Sequence, residues 1–396
     1  MSIATYRWVV LAVGTLAQAA TATYFLGLAA VTPALRDHFG LDLAQVGALI
    51  GVISVGLVGT LIAWGGAADR FGERGVMAVG LLGAAVALGA VAFVRSPLVA
   101  GALLLLAGAS GASVNAASGR AVLTWFPSTH RGMAMAIRQT SVPIGAALAA
   151  VALPAVAAGG GVPAVFGVLA GCCLLAAVAV VIWIREPPGV RTRDRAPAAG
   201  MRAVLADTRL LRLSLAGFLL VVPQFLGSVF MVEVLHDGAG MSLALAGSLL
   251  ALTQVLGAAG RLGNGVWSDR ARARIGPLRI VALAVALTWA LSAALEGGPA
   301  PLLAVVLVPA AALAISWNGL VFTAAGELAP EGRAATAMAV SNTANYVAAA
   351  VTPALGGLVA QLTGWPAMLL MGAIAAAAAL LALRGLAEPA MTTRSS

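Results

Sequence analysis

Twelve long apolar runs, punctuated by Gly, Pro and clusters of arginine, limit this chain more than any motif in it. They lie near residues 8–35, 43–67, 76–94, 98–122, 132–157, 162–184, 211–235, 243–267, 278–296, 300–324, 334–361 and 365–386, numbered here as spans 1 to 12. A helix crossing about 30 Å of hydrocarbon needs about 20 apolar residues. A backbone in lipid must satisfy its own hydrogen bonds, and these runs are too long and too uniformly apolar for barrel strands. With 61% hydrophobic and 9% charged residues, the chain lacks the charged shell of a soluble domain. The first run exceeds a signal-peptide core of about 7 to 15 residues and eleven more follow it, so it is expected to remain as a span.

Arginine sets the orientation. The chain has no lysine, so all 23 basic residues are Arg. The odd-numbered connections hold only Arg36 and Arg95, whereas the even-numbered ones hold a long series that includes Arg70, Arg74, Arg131, Arg185, Arg270, Arg274 and Arg333. The positive-inside rule therefore predicts both termini in the cytoplasm, in a multi-pass protein of the cell's inner membrane. The sequence pI near 11.2 is a topology signal. No aromatic residues interleave the basic loops as a nucleic-acid surface would require.

The chain is duplicated. Gly65-Gly66-Ala67-Ala68-Asp69-Arg70 and Gly265-Val266-Trp267-Ser268-Asp269-Arg270 stand two hundred positions apart, each at the end of an apolar run. Val46-Gly47-Ala48-Leu49-Ile50 aligns with Ala246-Gly247-Ser248-Leu249-Leu250 at the same offset. At an offset of 203, Asn115 falls on Asn318, Pro127 on Pro330 and Gln139-Thr140 on Asn342-Thr343. The expectation is an N-terminal six-helix bundle over 1–185, a Pro- and Arg-rich cytoplasmic linker over 186–207, and a C-terminal six-helix bundle over 208–396.

Gly65-x-x-x-Asp69-Arg70-x-Gly72-Glu73-Arg74 resembles the signature loop between helices 2 and 3 of the major facilitator superfamily, and Gly265 to Arg274 resembles its weaker second copy. Departures from the pattern are Glu73 in place of a base, Ala67 in place of Leu and Arg272 in place of Gly. The resemblance implies an all-α membrane protein with twelve transmembrane helices in two pseudo-symmetric six-helix bundles, acting as a secondary transporter by rocker-switch alternating access. It also implies that Asp69 meets the positive N-terminal end of a helix in the other half while Arg70 finds acidic or carbonyl partners, so that Asp69, Arg70, Arg74, Asp269 and Arg270 gate the cytoplasmic side. Capping and topology alone would require the same charges.

Polar groups inside the bilayer bear on the substrate. No Asp or Glu occurs within spans 1, 3, 4, 5, 11 or 12 away from their ends, while Arg261, Arg138 and Arg120 lie in spans 8, 5 and 4. An intramembrane Arg is costly and is normally paired or faces a cavity, so an incoming anion is a reasonable partner. Arg261-x-x-x-Gly265-x-x-x-Asp269 resembles span 8 of oxalate/formate antiporters and monocarboxylate transporters, where the Arg holds a substrate carboxylate by its fork of donors. Gly257 replaces the acidic partner of the latter, and a carbonyl-bound Arg261 is the alternative. Arg138 is a candidate gate residue, on carbonyls or on Glu327, or a substrate residue. Tyr24, Asn115, Gln139, Gln254, Asn318, Asn342, Asn345 and Tyr346 are candidate substrate contacts; helix-packing hydrogen bonds are their alternative role. Glu233, His236 and Asp237 form a candidate proton port or outer gate, or a solvated helix end.

The expected substrate is a small organic anion, a mono- or dicarboxylate, and the alternative is export of amphipathic drugs or metabolites. Expected partners are the lipid bilayer and protons as a candidate coupling ion, with the protein a monomer and no nucleic acid. Neither a cofactor nor a metal site is expected. The adjacent Cys172 and Cys173 suit packing, and without a Gly-Lys-Ser/Thr phosphate loop ATP is not the drive. An enzyme is not expected.

Overall fold

The structure is a computed structural model that describes residues 3–185 and 201–389. Residues 186–200 of the expected linker lie outside the described residues. Among the described residues the regular elements are all helices, which form twelve membrane crossings in two six-helix bundles. Eleven apolar helical stretches are long enough to cross a membrane, and one of them, Ser128–Trp183, has 56 residues. At 1.5 Å per residue that stretch would run about 84 Å, far beyond one crossing. Gly161, at φ 66° and ψ −169°, breaks it into spans 5 and 6. That backbone conformation favours glycine, and Pro163 starts the next helix with a preset φ.

Three other breaks refine the sequence reading. Span 1 is the helix Ile3–Phe25, followed by a tight turn of helix at Gly27–Val31 and a short helix Thr32–Phe39. Thr140 separates Arg131–Gln139 from Ser141–Trp183 within span 5. Span 10 is split into Ala300–Ile315 and Asn318–Leu328 by a turn at Ser316 and Trp317. Spans 2 and 8 are longer than expected, Leu43–Phe71 and Leu243–Ala271, so Asp69 and Asp269 lie on the last helical turn. The capping box of Asp42 and Gln45 starts the first of these, and the Ser242 hydroxyl accepts from Leu245 N–H at the start of the second.

By packing, the chain divides into two compact units. One gathers Met1–Phe126, Ile137–Val204 and Ala329–Val340; the other gathers Pro127–Ala136, Leu205–Leu328 and Ser341–Ser396. Each unit thus contains the beginning of a helix whose remainder belongs to the other.

In the first unit, glycines bring helix backbones together. A Cβ on Gly56 would run into the Leu105 carbonyl, and one on Gly108 into the Ile53 carbonyl. Spans 2 and 4 therefore pack backbone against backbone, the small-residue contact that drives association in lipid. Tyr24, Leu28, Leu88, Leu104 and Phe166 fill one apolar core, and Val10, Met77, Leu81 and Val180 another. In the second unit, Trp289 is fully buried, donates its Nε1–H to Ala310 O at 3.2 Å, and packs against Gly372.

Candidate functional site

In the first unit the Asp69 carboxylate caps the helix Ala334–Thr363. It accepts from Ala335 N–H at 3.0 Å, Thr336 N–H at 2.9 Å and the Thr336 hydroxyl at 2.6 Å. The first helical N–H groups have no partner within their own helix, so a carboxylate there gains both hydrogen bonds and the favourable helix dipole. Gly65, one turn before Asp69, makes the approach possible: a Cβ there would lie 2.9 Å from Ala339 Cβ and 3.0 Å from Ala335 O. Arg120 braces the aspartate from span 4, with Nε 3.4 Å from Asp69 and Nη1 2.6 Å from Glu73.

The second unit repeats the device. Asp269 accepts from Gly132 N–H at 2.9 Å and Met133 N–H at 2.8 Å, at the start of the helix Arg131–Gln139. Gly265 plays the part of Gly65, since its Cβ would lie 2.7 Å from Gly132 O. Arg274 is the hub of this copy. Its fully buried guanidinium reaches Asp269 at 2.8 Å, Ser268 Oγ at 2.7 Å, Glu327 at 3.1 Å and Ser128 O at 2.5 Å. Glu327 also lies 3.5 Å from Arg131. Arg272 holds φ 48° and ψ 40°, so the left-handed region expected of glycine is kept without the glycine.

Arg70, Arg74 and Arg270, the basic residues of the signature itself, are exposed, and the Arg70 guanidinium lies over the Phe71 ring. Arg120 and Arg274 each engage one of the two aspartates. In the sequence the first stands among the membrane-interior charges and the second among the topology signals. A carboxylate on each, Glu73 and Glu327, was the available clue.

Farther inside, Arg138 is buried and donates from Nη1 to Gln18 Oε1 at 2.6 Å and Ser118 Oγ at 3.0 Å. Gln18 in turn donates to Asn115 Oδ1 at 3.1 Å. Spans 1, 4 and 5 thus join in one hydrogen-bonded frame around a guanidinium. That guanidinium also lines a narrow crevice with Leu11, Gly14, Ala121 and Phe126. Gln139 is buried beside it on span 5.

Arg261 is held at the break in span 10, where its Nε donates to Ile315 O at 2.9 Å. Asn264, one turn on, donates to Ser316 O at 3.2 Å and Ser316 Oγ at 2.9 Å. The break at Ser316 and Trp317 interrupts the helical ladder, and these two span 8 side chains supply donors to it, as irregular backbone at membrane depth requires. The Tyr24 hydroxyl donates to Ala107 O at 3.0 Å, a bond between spans 1 and 4. Asn318 and Asn345 are buried, Asn342 and Tyr346 half-buried, and Gln254 exposed. Asn318 Oδ1 and both amide atoms of Asn345 are buried without a hydrogen-bond partner among the described residues. The Glu233, His236 and Asp237 side chains are exposed at the end of span 7, with His236 Nδ1 2.6 Å from Met241 O and Nε2 3.9 Å from Asp237.

Apolar helices long enough to cross a membrane, a repeated aspartate cap and buried arginines point to a membrane transporter. The chain belongs to the Major Facilitator Superfamily, whose sequence model matches residues 11–353. An uncharacterized MFS-type transporter of Mycobacterium tuberculosis (strain H37Rv) is 36% identical over 390 residues, covering 98% of this chain and 87% of that protein. Among solved structures, the Escherichia coli fucose:proton symporter FucP matches 97% of this chain and 99% of its own at a TM-score of 0.77 and 16% identity. The human organic anion transporter MFSD10 matches 96% and 99% at 0.75 and 19% identity. These structural likenesses establish the fold.

Proposed function

We propose that the protein carries a small organic anion, a mono- or dicarboxylate, across the cytoplasmic membrane by alternating access, as a monomer with both termini in the cytoplasm. The observation that carries this reading is Arg138, a buried guanidinium positioned by a neutral amide and a hydroxyl. A guanidinium whose fork of donors is oriented by an amide and a hydroxyl suits recognition of a carboxylate. Arg261, with its resemblance to span 8 of carboxylate transporters, is the second basic candidate, and the organic anion transporter among the structural neighbours is consistent with the class. In this reading Gln18 and Asn115 tune the orientation of Arg138.

Asp69 and Asp269 serve as paired latches. Both engage helix N-termini here, so the opposite conformation requires each carboxylate to leave its two N–H donors. A few hydrogen bonds per latch suit a bistable gate, because the groups released can be satisfied by water.

The rival reading, export of amphipathic drugs or metabolites, is favoured by one observation: the Arg261 Nε is already committed to the Ile315 carbonyl, which gives that residue a structural role. Uptake into proteoliposomes, with a panel of labelled mono- and dicarboxylates against neutral and cationic amphiphiles, separates the two. The anion reading expects saturable uptake of a carboxylate. Uptake of amphiphiles alone sinks it.

A further inference from the structure

The C-terminal end of span 12, the helix Trp365–Leu383, lies where three arginines converge. Arg212 donates from Nε to Ala382 O at 3.1 Å and from Nη2 to Arg384 O. Arg279 donates to Leu383 O at 2.7 Å and Leu386 O at 2.9 Å, both from Nη2. The last carbonyls of a helix carry the negative pole of its dipole, and here two guanidinium groups cover that pole.

The nearby carboxylate is also engaged elsewhere. Glu388 accepts from Arg274 N–H at 2.6 Å, Ile275 N–H at 2.9 Å and Gly276 N–H at 2.6 Å, at the start of the helix Ile275–Leu295. With the helix pole and the acid both satisfied, the surplus charge in this corner is positive. Arg384 supplies it: the side chain is exposed and makes no hydrogen bond or ion pair among the described residues. Nη1 of Arg279 is likewise unused there.

These two arginines line one open groove of about 530 Å³ with Leu380, Leu381, Gly385 and Leu386. Below it, Leu381, Ile374 and Leu370 are exposed along one face of span 12 at helical spacing. A basic rim above a continuous apolar stripe, at the level where a membrane helix ends, matches one kind of molecule in both charge and polarity. We infer that this groove binds an anionic phospholipid, its phosphate on Arg384 and Arg279 and an acyl chain along Leu381 and Ile374. The orientation expected from the arginine distribution places it in the cytoplasmic leaflet. The site is separate from Arg138 and Arg261 and does not depend on which substrate is carried.

The test is lipid retention by the purified full-length protein in native mass spectrometry, titrated with phosphatidylglycerol or phosphatidylcholine of matched chains. Arg384→Gln is the variant of choice, because the side chain is exposed and holds nothing else in place; a melting curve confirms that it folds. Wild type is expected to retain phosphatidylglycerol over phosphatidylcholine, and Arg384→Gln to lose about fivefold in that preference, the share of one arginine near an anionic surface. Arg384→Lys is expected to keep most of it. Equal retention of the two lipids, an unchanged preference in Arg384→Gln, or displacement of the lipid by millimolar inorganic phosphate would each overturn the assignment, the last by showing a phosphate site without need of a lipid.

Discussion

Asp69 and Asp269 have the same local geometry, yet their supports differ. Asp69 holds two backbone N–H groups and a hydroxyl, braced by Arg120; Asp269 holds two N–H groups and is braced by the fully buried Arg274. Hydrogen bonds to a charged acceptor contribute about 1.5–3 kcal/mol, so Asp69→Asn should weaken its latch by about that amount. The check is a Met338→Cys probe in a background without Cys172 and Cys173, reacted with a membrane-impermeant maleimide. Met338 is buried near Gly119, and its labelling should accelerate in Asp69→Asn. An unchanged rate would remove Asp69 from the gate. Arg272 yields a simpler prediction: its left-handed backbone costs about 1–2 kcal/mol for a residue with a Cβ. Arg272→Gly should raise the melting temperature slightly while leaving Asp269 engaged.

The residue scale also shows what could be read in advance. The small residue four positions before each aspartate was legible, because close approach of two helices needs a missing side chain at that spacing. The bracing arginines were not. Arg120 meets Asp69 and Glu73 across about fifty positions of chain, and Arg274 meets Ser128 from the far half of the sequence. Such pairings depend on packing that hydropathy does not encode. The Arg261 bond to Ile315 is of the same kind: the arginine was visible, whereas the helix break that gives it a partner was hidden inside the apolar run from 300 to 324.

Elements follow the same division. Span number came from apolar length, and the crossing at Gly161 lay between two runs already separated at residues 158–161. The interruptions in spans 1 and 10 were missed because Gly27–Val31 and Ser316–Trp317 are as apolar or as small as their neighbours. The break in span 10 persists since the Asn264 and Arg261 side chains meet its exposed backbone. Contact between spans 9 and 12 relies on Gly372, whose Cβ would meet Trp289 Cζ3 at 2.9 Å and its ring edge closer still. The indole is fully buried and tied to Ala310 O, so it has little freedom to move. Gly372→Ala should therefore destabilise by about 1–3 kcal/mol, the usual cost of overpacking, read as a lower melting temperature in detergent. A neutral result would mean that the two helices separate at little cost.

For the whole molecule, the two compact units each include the start of a helix that continues in the other, Ala334–Val340 in one case and Arg131–Ala136 in the other. In the proposed cycle both helix starts exchange their aspartate caps for water as access alternates, while the ligand charge is met by arginine. The account therefore stands or falls on Arg138. Counterflow of a labelled carboxylate in proteoliposomes should be measured for wild type, Arg138→Gln and Arg261→Gln at matched reconstitution, with melting curves to confirm folding. The account predicts exchange by wild type, its loss in Arg138→Gln with the fold intact, and a partial loss in Arg261→Gln. Undiminished anion exchange in a folded Arg138→Gln protein would contradict it.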